Sequence, residues 1–240
     1  MSKLQIIHEL DSKELQKTLR FFKDNYYDEI SLCHIDQISK ELSVDSEILI
    51  LHLSLDEEIN THKIISESLN RIGIKQLNPF KEIMDDKYLF YNHMLANEIP
   101  QAQSLLVSEG EKADQMIEVV SLNTDKVVVK PRHGTENIDV KVCRNIKEAL
   151  AQIEIIHQYD DALIQELVSG EEKRLLYFKG DIHPKSTSDE THAVFDAMEV
   201  LNHEGNKTEI VSFDFINSNG ILVPIEANAR PAGIFKVSLV

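Results

Sequence analysis

Cysteine is scarce in this chain: Cys33 and Cys143 are the only two in 240 residues. They have neither the spacing of a metal site nor the number a disulfide framework needs, so both are expected to be buried, reduced thiols. Basic residues are also short. Lys and Arg number 25 against 41 Asp and Glu, a formal charge of −16, the wrong sign for a general nucleic-acid binder. Any phosphate site must therefore be made locally, from particular lysines, arginines and backbone amides. No apolar run approaches the length of a bilayer crossing. Residues 1–15 lack the charged-then-apolar pattern of a signal peptide. The expectation is a cytoplasmic protein with no membrane partner. Residues 1–79 carry no glycine fingerprint for a dinucleotide, and no nucleophile elbow or Ser-His-Asp arrangement is visible. The ten histidines are scattered and read as structural; only His133 and His183 fall near the groups singled out below.

What is present is enough apolar content, 42%, to bury a substantial core in one large domain or two small ones. Through residues 1–79 short apolar runs alternate with amphipathic stretches. Strands are expected at 4–8, 29–35 and 47–53, with helices at 12–23 and 57–72. That alternation implies an α/β layer with a mostly parallel sheet. Asn78-Pro79 marks a boundary. Beyond it the periodicities predict a helix at 80–97, a strand at 104–107, a helix at 111–120 and strands at 125–130 and 138–143. A helix capped by Asn145 follows, then strands at 162–168 and 172–178 and a helix from Ser188-Asp189 to Asn202.

The chain closes on two strands joined at 217–220. A three-residue loop, Ser218-Asn219-Gly220, would let Gly take the left-handed position that loop needs. Phe213, Phe215, Val211, Ile221, Val223 and Ile225 would then share an apolar face, and Asp214, Glu226 and Asn228 the other. A two-residue loop is expected to set Asp214 against Val223 and scatter both groups. Three oxygen ligands, two of them carboxylates, suit a hard cation, Mg²⁺ or Mn²⁺, bound with substrate phosphates. A solvated polar face would show the same residues, so the choice falls to the residues upstream.

Lys130 ends a β-branched strand and is followed by Pro131 and a loop with Gly134 and Thr135. A lysine so placed can reach a phosphate while its stem packs on the sheet, or can simply end in solvent. Gln165 and Glu166 end a buried strand that presents backbone groups suited to the edge of an adenine. Glu172, past the turn, is placed to accept from ribose hydroxyls. Arg174 and Lys185 add cations that suit phosphate or a substrate carboxylate, or surface pairs. Arg230 stands where the last strand leaves the proposed metal edge, a fixed positive fork suited to a phosphorylated intermediate.

The segments DDKYLFYNHMLANEIPQAQ, VVVKPRHGTENIDVKV, ALIQELVSGEEKRLLYFKGD and FDF…PIEANARP, in that order over about 85–230, resemble the ATP-grasp superfamily of ATP-dependent ligases. The GEEKR run and the EANARP ending look most like its glutathione synthetase and ribosomal-protein glutamate ligase branch. The resemblance implies an α/β (α+β) architecture. Two α+β subdomains, 80–168 and 169–240, would clasp ATP, preceded by a small parallel α/β domain at 1–79. It makes Lys87 and Lys130 the nucleotide-phosphate lysines, puts Gln165, Glu166 and Val168 on adenine and Glu172 on ribose, and gives Mg²⁺ to Asp214, Glu226 and Asn228. Arg230 falls near the transferred phosphate, where it and Lys130 would act in catalysis. Arg174 and Lys185 join the nucleotide-binding set.

The implied reaction activates a small-molecule or peptide carboxylate as an acyl-phosphate. An amine or thiol then captures it, with release of ADP and phosphate. A non-ligating ATP-binding regulatory module, or a kinase-like phosphotransferase, are the alternatives; a homo-oligomer is left open. Two departures stand out. The phosphate-covering loop, 132–139, holds one glycine, Gly134, where relatives are glycine-rich. The sequence also stops 12 residues after Asn228, which implies either a truncated chain or a compact member whose acceptor site is open or partner-supplied.

Overall fold

The computed structural model describes residues 3–8, 13–38, 42, 45–51, 58–121, 126–134, 138–203 and 205–230. Three sheets organise them. The first is parallel, in the order β2-β1-β3, from β1 (Lys3–His8), β2 (Glu29–His34) and β3 (Glu47–Ile50). Its strands are joined by α1 (Lys13–Asn25) and flanked by α2 (Glu58–Arg71). The inferred parallel layer is thus present. The parts of its third strand and second helix expected at 52–57 lie outside the described residues.

The second sheet is antiparallel, β4-β7-β5-β6, built from β4 (Ser104–Val107), β5 (Val127–Pro131), β6 (Lys141–Cys143) and β7 (Ala162–Glu166). The helices α4 (Ala113–Ser121) and α5 (Ile146–Ile156) pack on it around Val107, Val129, Ile153 and Ile164, all essentially inaccessible. Asn145 caps α5 by accepting from the Glu148 amide at 3.0 Å. Cys143 is buried in this core and Cys33 in the first sheet, neither of them in a disulfide.

The third sheet, β11-β10-β8-β9, is antiparallel and contains β8 (Glu171–Phe178), β9 (Asp181–His183), β10 (Ile210–Ser218) and β11 (Ile221–Asn228). One face packs Leu175, Tyr177, Val211, Phe213, Phe215, Leu222 and Ala227 against α6 (Ser188–Asn202) and α3 (Lys87–Ala96). Thr187 starts α6 with a reciprocal capping box to Glu190. On the other face, Leu176, Phe178 and Ile210 join Leu4, Ile6, Phe22, Leu49 and Leu77 in a core shared with the parallel sheet. The three-residue β9 was too short for its pattern to be read from the sequence. Among the described residues no helix is long and apolar enough to cross a membrane.

Two expectations need correction here. The helix predicted at 80–97 begins only at Lys87, with a single 3₁₀ turn, Glu82–Met84, before it. Asp86 is the reason: its carboxylate accepts from the backbone amides of Tyr88 and Leu89, both at 2.9 Å, which fixes the start of the helix one residue later. The closing hairpin has a two-residue turn, Asn219-Gly220, with φ of 53° and 88°. Both central residues are left-handed, as a tight hairpin turn of matching twist requires. Ser218 therefore faces Ile221, and Phe215 faces Pro224. The register then shifts by one residue between Asp214 and Phe215, so that Asp214 faces Glu226 and Ser212 faces Asn228. Pro224 has no N–H to give a ladder, and an edge strand with a bulge tolerates it. The acids thus stand directly opposite one another, although the expectation only placed them on one face. The two-residue loop, expected to set Asp214 against Val223, leaves Val223 facing Ile216, and the bulge keeps the acids together. It also changes the apolar face, where Leu222, Pro224 and Ala227 stand in place of Ile221, Val223 and Ile225.

Glu47, at the start of β3, ties the parallel sheet to the third. It accepts from Lys75 Nζ at 2.7 Å, from the Tyr27 hydroxyl at 2.7 Å and from Lys179 Nζ. Burial alone would raise its pKa; the hydrogen bonds from Lys179, Lys75 and Tyr27 outweigh that and hold it at about 2. A carboxyl depressed in the folded state adds stability that is complete above the unfolded value of 4.5 and is lost as pH falls towards 2. Between those pH values the thermal midpoint of the wild type is expected to fall more steeply than that of Glu47→Gln. Parallel pH profiles by circular dichroism would remove Glu47 from this role.

Candidate active site

The polar face of the third sheet carries the candidate metal edge. Directly opposed residues share a face, and the ladder sets Glu226, Asp214 and Arg174 in one row across β11, β10 and β8. The next rows along the same face are Asn228 beside Ser212, and Ile216 beside Glu172. Two carboxylates opposed across strands repel one another unless a cation lies between or beside them. Here Arg174 grips Asp214 with both arms of its guanidinium, Nε to Oδ1 and Nη2 to Oδ2, the latter at 2.6 Å. The pairing with Asp214, aided by Glu226 and Glu172 nearby, raises the Arg174 pKa despite partial burial.

Facing this edge are the two lysines. Lys87 opens α3, where its amide donates to the Arg132 carbonyl at 3.0 Å and its ammonium to the Gly134 carbonyl at 2.6 Å. Lys130 is 4% exposed, near the end of β5, and donates to Gln165 Oε1 at 2.9 Å. Burial lowers the pKa of both. Lys130 falls to about 8, with the positive Lys87 adding to the effect and Glu226 opposing it. Glu226 thus lies close enough to Lys87, Lys130 and Arg174 for its charge to be felt at each. Lys130 is buried and Lys87 half-buried, close enough that the charge of Lys87 is felt at Lys130, and a polyphosphate between them would offset that repulsion.

A network unforeseen in the sequence holds the lysine-bearing segments in place. Arg132 donates to Asp86 Oδ2 from Nε at 2.9 Å and from Nη2 at 2.6 Å, and its own amide donates to the Asp161 carbonyl. His133 bonds Asp160 through its backbone amide at 2.7 Å and through Nδ1 at 3.0 Å, and that bond raises its pKa. The Asp-Asp-Lys run at 85–87 was the available signal for a helix start. Reading one continuous helix through it hid the clamp. Loop residues Thr135, Glu136 and Asn137 lie outside the described residues.

The remaining expected residues are placed as follows. Glu166 bonds Gln103 at the end of the β4–β7 ladder, its amide giving 2.8 Å to the Gln103 carbonyl, and Val168 follows it, half-buried. Glu172 is exposed on the polar face. Lys185 is exposed, two residues beyond β9. Arg230 is half-buried; its carbonyl accepts from Ser212 Oγ at 2.6 Å, and its charge helps lower the pKa of the half-buried His62 on α2. Next to it, the fully buried Asn78 donates to the Ala229 carbonyl at 2.7 Å and exchanges two bonds with Ile50 at the end of β3. Arg230 therefore sits where the chain leaving β11 meets the parallel sheet. His183, by contrast, is turned away into an aromatic cluster with Phe21 and Tyr26.

An antiparallel sheet carrying one lysine, a helix beginning with a second, a further antiparallel sheet whose outermost strand and its neighbour pair two carboxylates, and a parallel α/β layer together make the ATP-grasp fold. Residues 84–178 match the family model of the RimK-like ATP-grasp domain, so the likeness seen in the motifs holds for the fold as well. Solved structures of similar fold include a D-alanine–D-alanine ligase from Bacillus anthracis. It is 19% identical over 100% of this chain and 90% of that one, with a TM-score of 0.72. A RimK-domain ATP-grasp protein from Sphaerobacter thermophilus is 13% identical over 94% and 91%, with a TM-score of 0.69. The ATP-grasp ligase PsnB, solved with its precursor peptide and AMPPNP, is 11% identical over 97% and 90%, also at 0.69. No curated protein matches the chain.

Proposed function

We propose that the protein is an ATP-dependent ligase that joins a carboxylate to an amine, or to a thiol, through an acyl-phosphate. The observation that carries this reading is the convergence on Glu226 of three cations from separate elements, Lys87 at the start of α3, Lys130 on β5 and Arg174 on β8. In the forward reaction a substrate carboxylate oxygen attacks the γ-phosphorus and ADP departs with the bridging oxygen. The nucleophile then adds to the acyl carbon, loses its proton, and phosphate leaves. Lys87 and Lys130 would hold the phosphates and offset the charge spread over the transferring group. Arg230, between the metal strand and α2, would orient the carboxylate or its phosphorylated form.

The donor set Asp214, Glu226 and Asn228 is all oxygen with two carboxylates, which fits Mg²⁺ or Mn²⁺ completed by phosphate oxygens. Such an ion supplies charge neutralisation at the phosphates. Arg174 occupies one lone pair on each Asp214 oxygen, so Asp214 would share its carboxylate between Arg174 and the ion. The wild type incubated with ATP, amino acids, dipeptides and small amines should form ADP and phosphate only when carboxylate and nucleophile are both present, with a condensed product seen by mass spectrometry. A phosphorylated substrate that persists as product would favour the phosphotransferase instead, and ATP binding without turnover the regulatory module.

A further inference from the structure

The register of the second sheet places Ser104 directly opposite Gln165 on one side, and Val128, two residues before Lys130, opposite it on the other. Ser104, Gln165 and Lys130 therefore share one face, with Lys130 the diagonal neighbour of Gln165. All three are buried, at 1%, 6% and 4% exposure. Their hydrogen bonds form a single chain. Ser104 Oγ lies 2.9 Å from the Ala102 carbonyl, and Gln165 Nε2 lies 2.8 Å from that Oγ. Gln165 Oε1 in turn lies 2.9 Å from Lys130 Nζ.

The chain has one consistent direction. A carbonyl can only accept, so the single serine proton goes to Ala102. Ser104 Oγ then accepts from the Gln165 amide, and the amide oxygen is left facing the ammonium. We propose that Gln165, expected from the sequence to contact adenine, is a positioning residue that acts through Lys130, with Ser104 setting the orientation of its amide. The side chain is neutral for a reason. An amide oxygen fixes the direction of the ammonium without cancelling its charge, whereas a carboxylate there would form a buried ion pair and leave less charge for a phosphate.

The role as a phosphate-lysine support rests on the ligase reading above, so the test separates the two. Calorimetry on the full chain compares ATP and adenosine binding in wild type and Gln165→Glu. The expected result is a loss of about tenfold or more in ATP affinity with adenosine affinity unchanged. Equal losses for both ligands would make Gln165 a base contact and overturn the proposal, as would unchanged ATP affinity. If the wild type binds no nucleotide, the ligase reading fails and the relay is judged alone. In ¹⁵N-labelled wild type the Gln165 side-chain amide should exchange slowly with solvent, and Ser104→Ala should accelerate that exchange about tenfold or more. Equal rates in the two proteins, or rapid exchange in the wild type, would overturn the relay. The same spectra decide the matter if Gln165→Glu does not fold.

Discussion

Glu226→Gln is expected to abolish ATP turnover while leaving the protein folded, and Asp214→Asn to do the same. Each substitution keeps the shape of the side chain and removes one of the two charges that would hold a divalent ion. A metal at the phosphates is worth several kcal/mol of charge stabilisation, so the loss should reach about 10³-fold in kcat or more. Stability should move little. Glu226→Gln relieves a like-charge pair across the ladder, and Asp214→Asn weakens a partly exposed ion pair with Arg174, worth at most about 1 kcal/mol. The measurement is ADP release alongside a melting curve. Turnover within a few-fold of wild type in either variant would sink the metal assignment.

The second large effect is on folding. Gly170 lies in the turn between β7 and β8, pressed against the end of β10. A Cβ built there would fall 2.7 Å from the Asn217 carbonyl carbon and 2.8 Å from Ile216 Cγ2, and nearer still to the Asn217 oxygen. Those obstacles are mostly backbone within a sheet, with no flexible side chain to swing aside. Gly170→Ala should therefore cost about 3 kcal/mol, at the upper end for overpacking, and lower the melting temperature by about 6–12 °C. Gly110, with nothing within 4 Å of its would-be Cβ but a φ of +86°, provides the comparison. An alanine there meets only backbone strain, of about 1 kcal/mol. A smaller drop for Gly170→Ala than for Gly110→Ala would show that β10 yields to the methyl group.

Much of this was legible before any coordinates. The strand at Ser104–Val107 and the helix at Ser188–Asn202 emerged with their expected bounds, because alternation and a strong cap leave little choice. The acids of the closing hairpin were also found, since Asp and Glu alternate with large apolar residues in only one way along each strand. Their pairing was misread. A turn is read from Gly and Asn, and Ser218-Asn219-Gly220 suits either of two loop lengths; a bulge at a proline has no signature in periodicity. The clamp of Asp86, Arg132, Asp160 and Asp161 was invisible for another reason. Its members lie up to 75 positions apart in the chain, and only the sheet brings them together. Gln165 was picked out, but what its side chain does depends on Ser104, which no motif contains.

The hairpin also sets a counting rule. Between the turn and the acid there are four residues on β10, 215–218, and five on β11, 221–225. The two arms are of unequal length, and the odd residue is what turns Glu226 to the side of Asp214. In a ladder without the bulge Ile225 would occupy that place and Glu226 would point among the phenylalanines. Losing one residue from the longer arm would spare the acid pair, by making the arms equal. Gaining one in that same arm would turn Glu226 through the sheet unless a second irregularity absorbed it. Tolerance of insertions near this turn is therefore governed by parity and by which arm they enter, more than by their size.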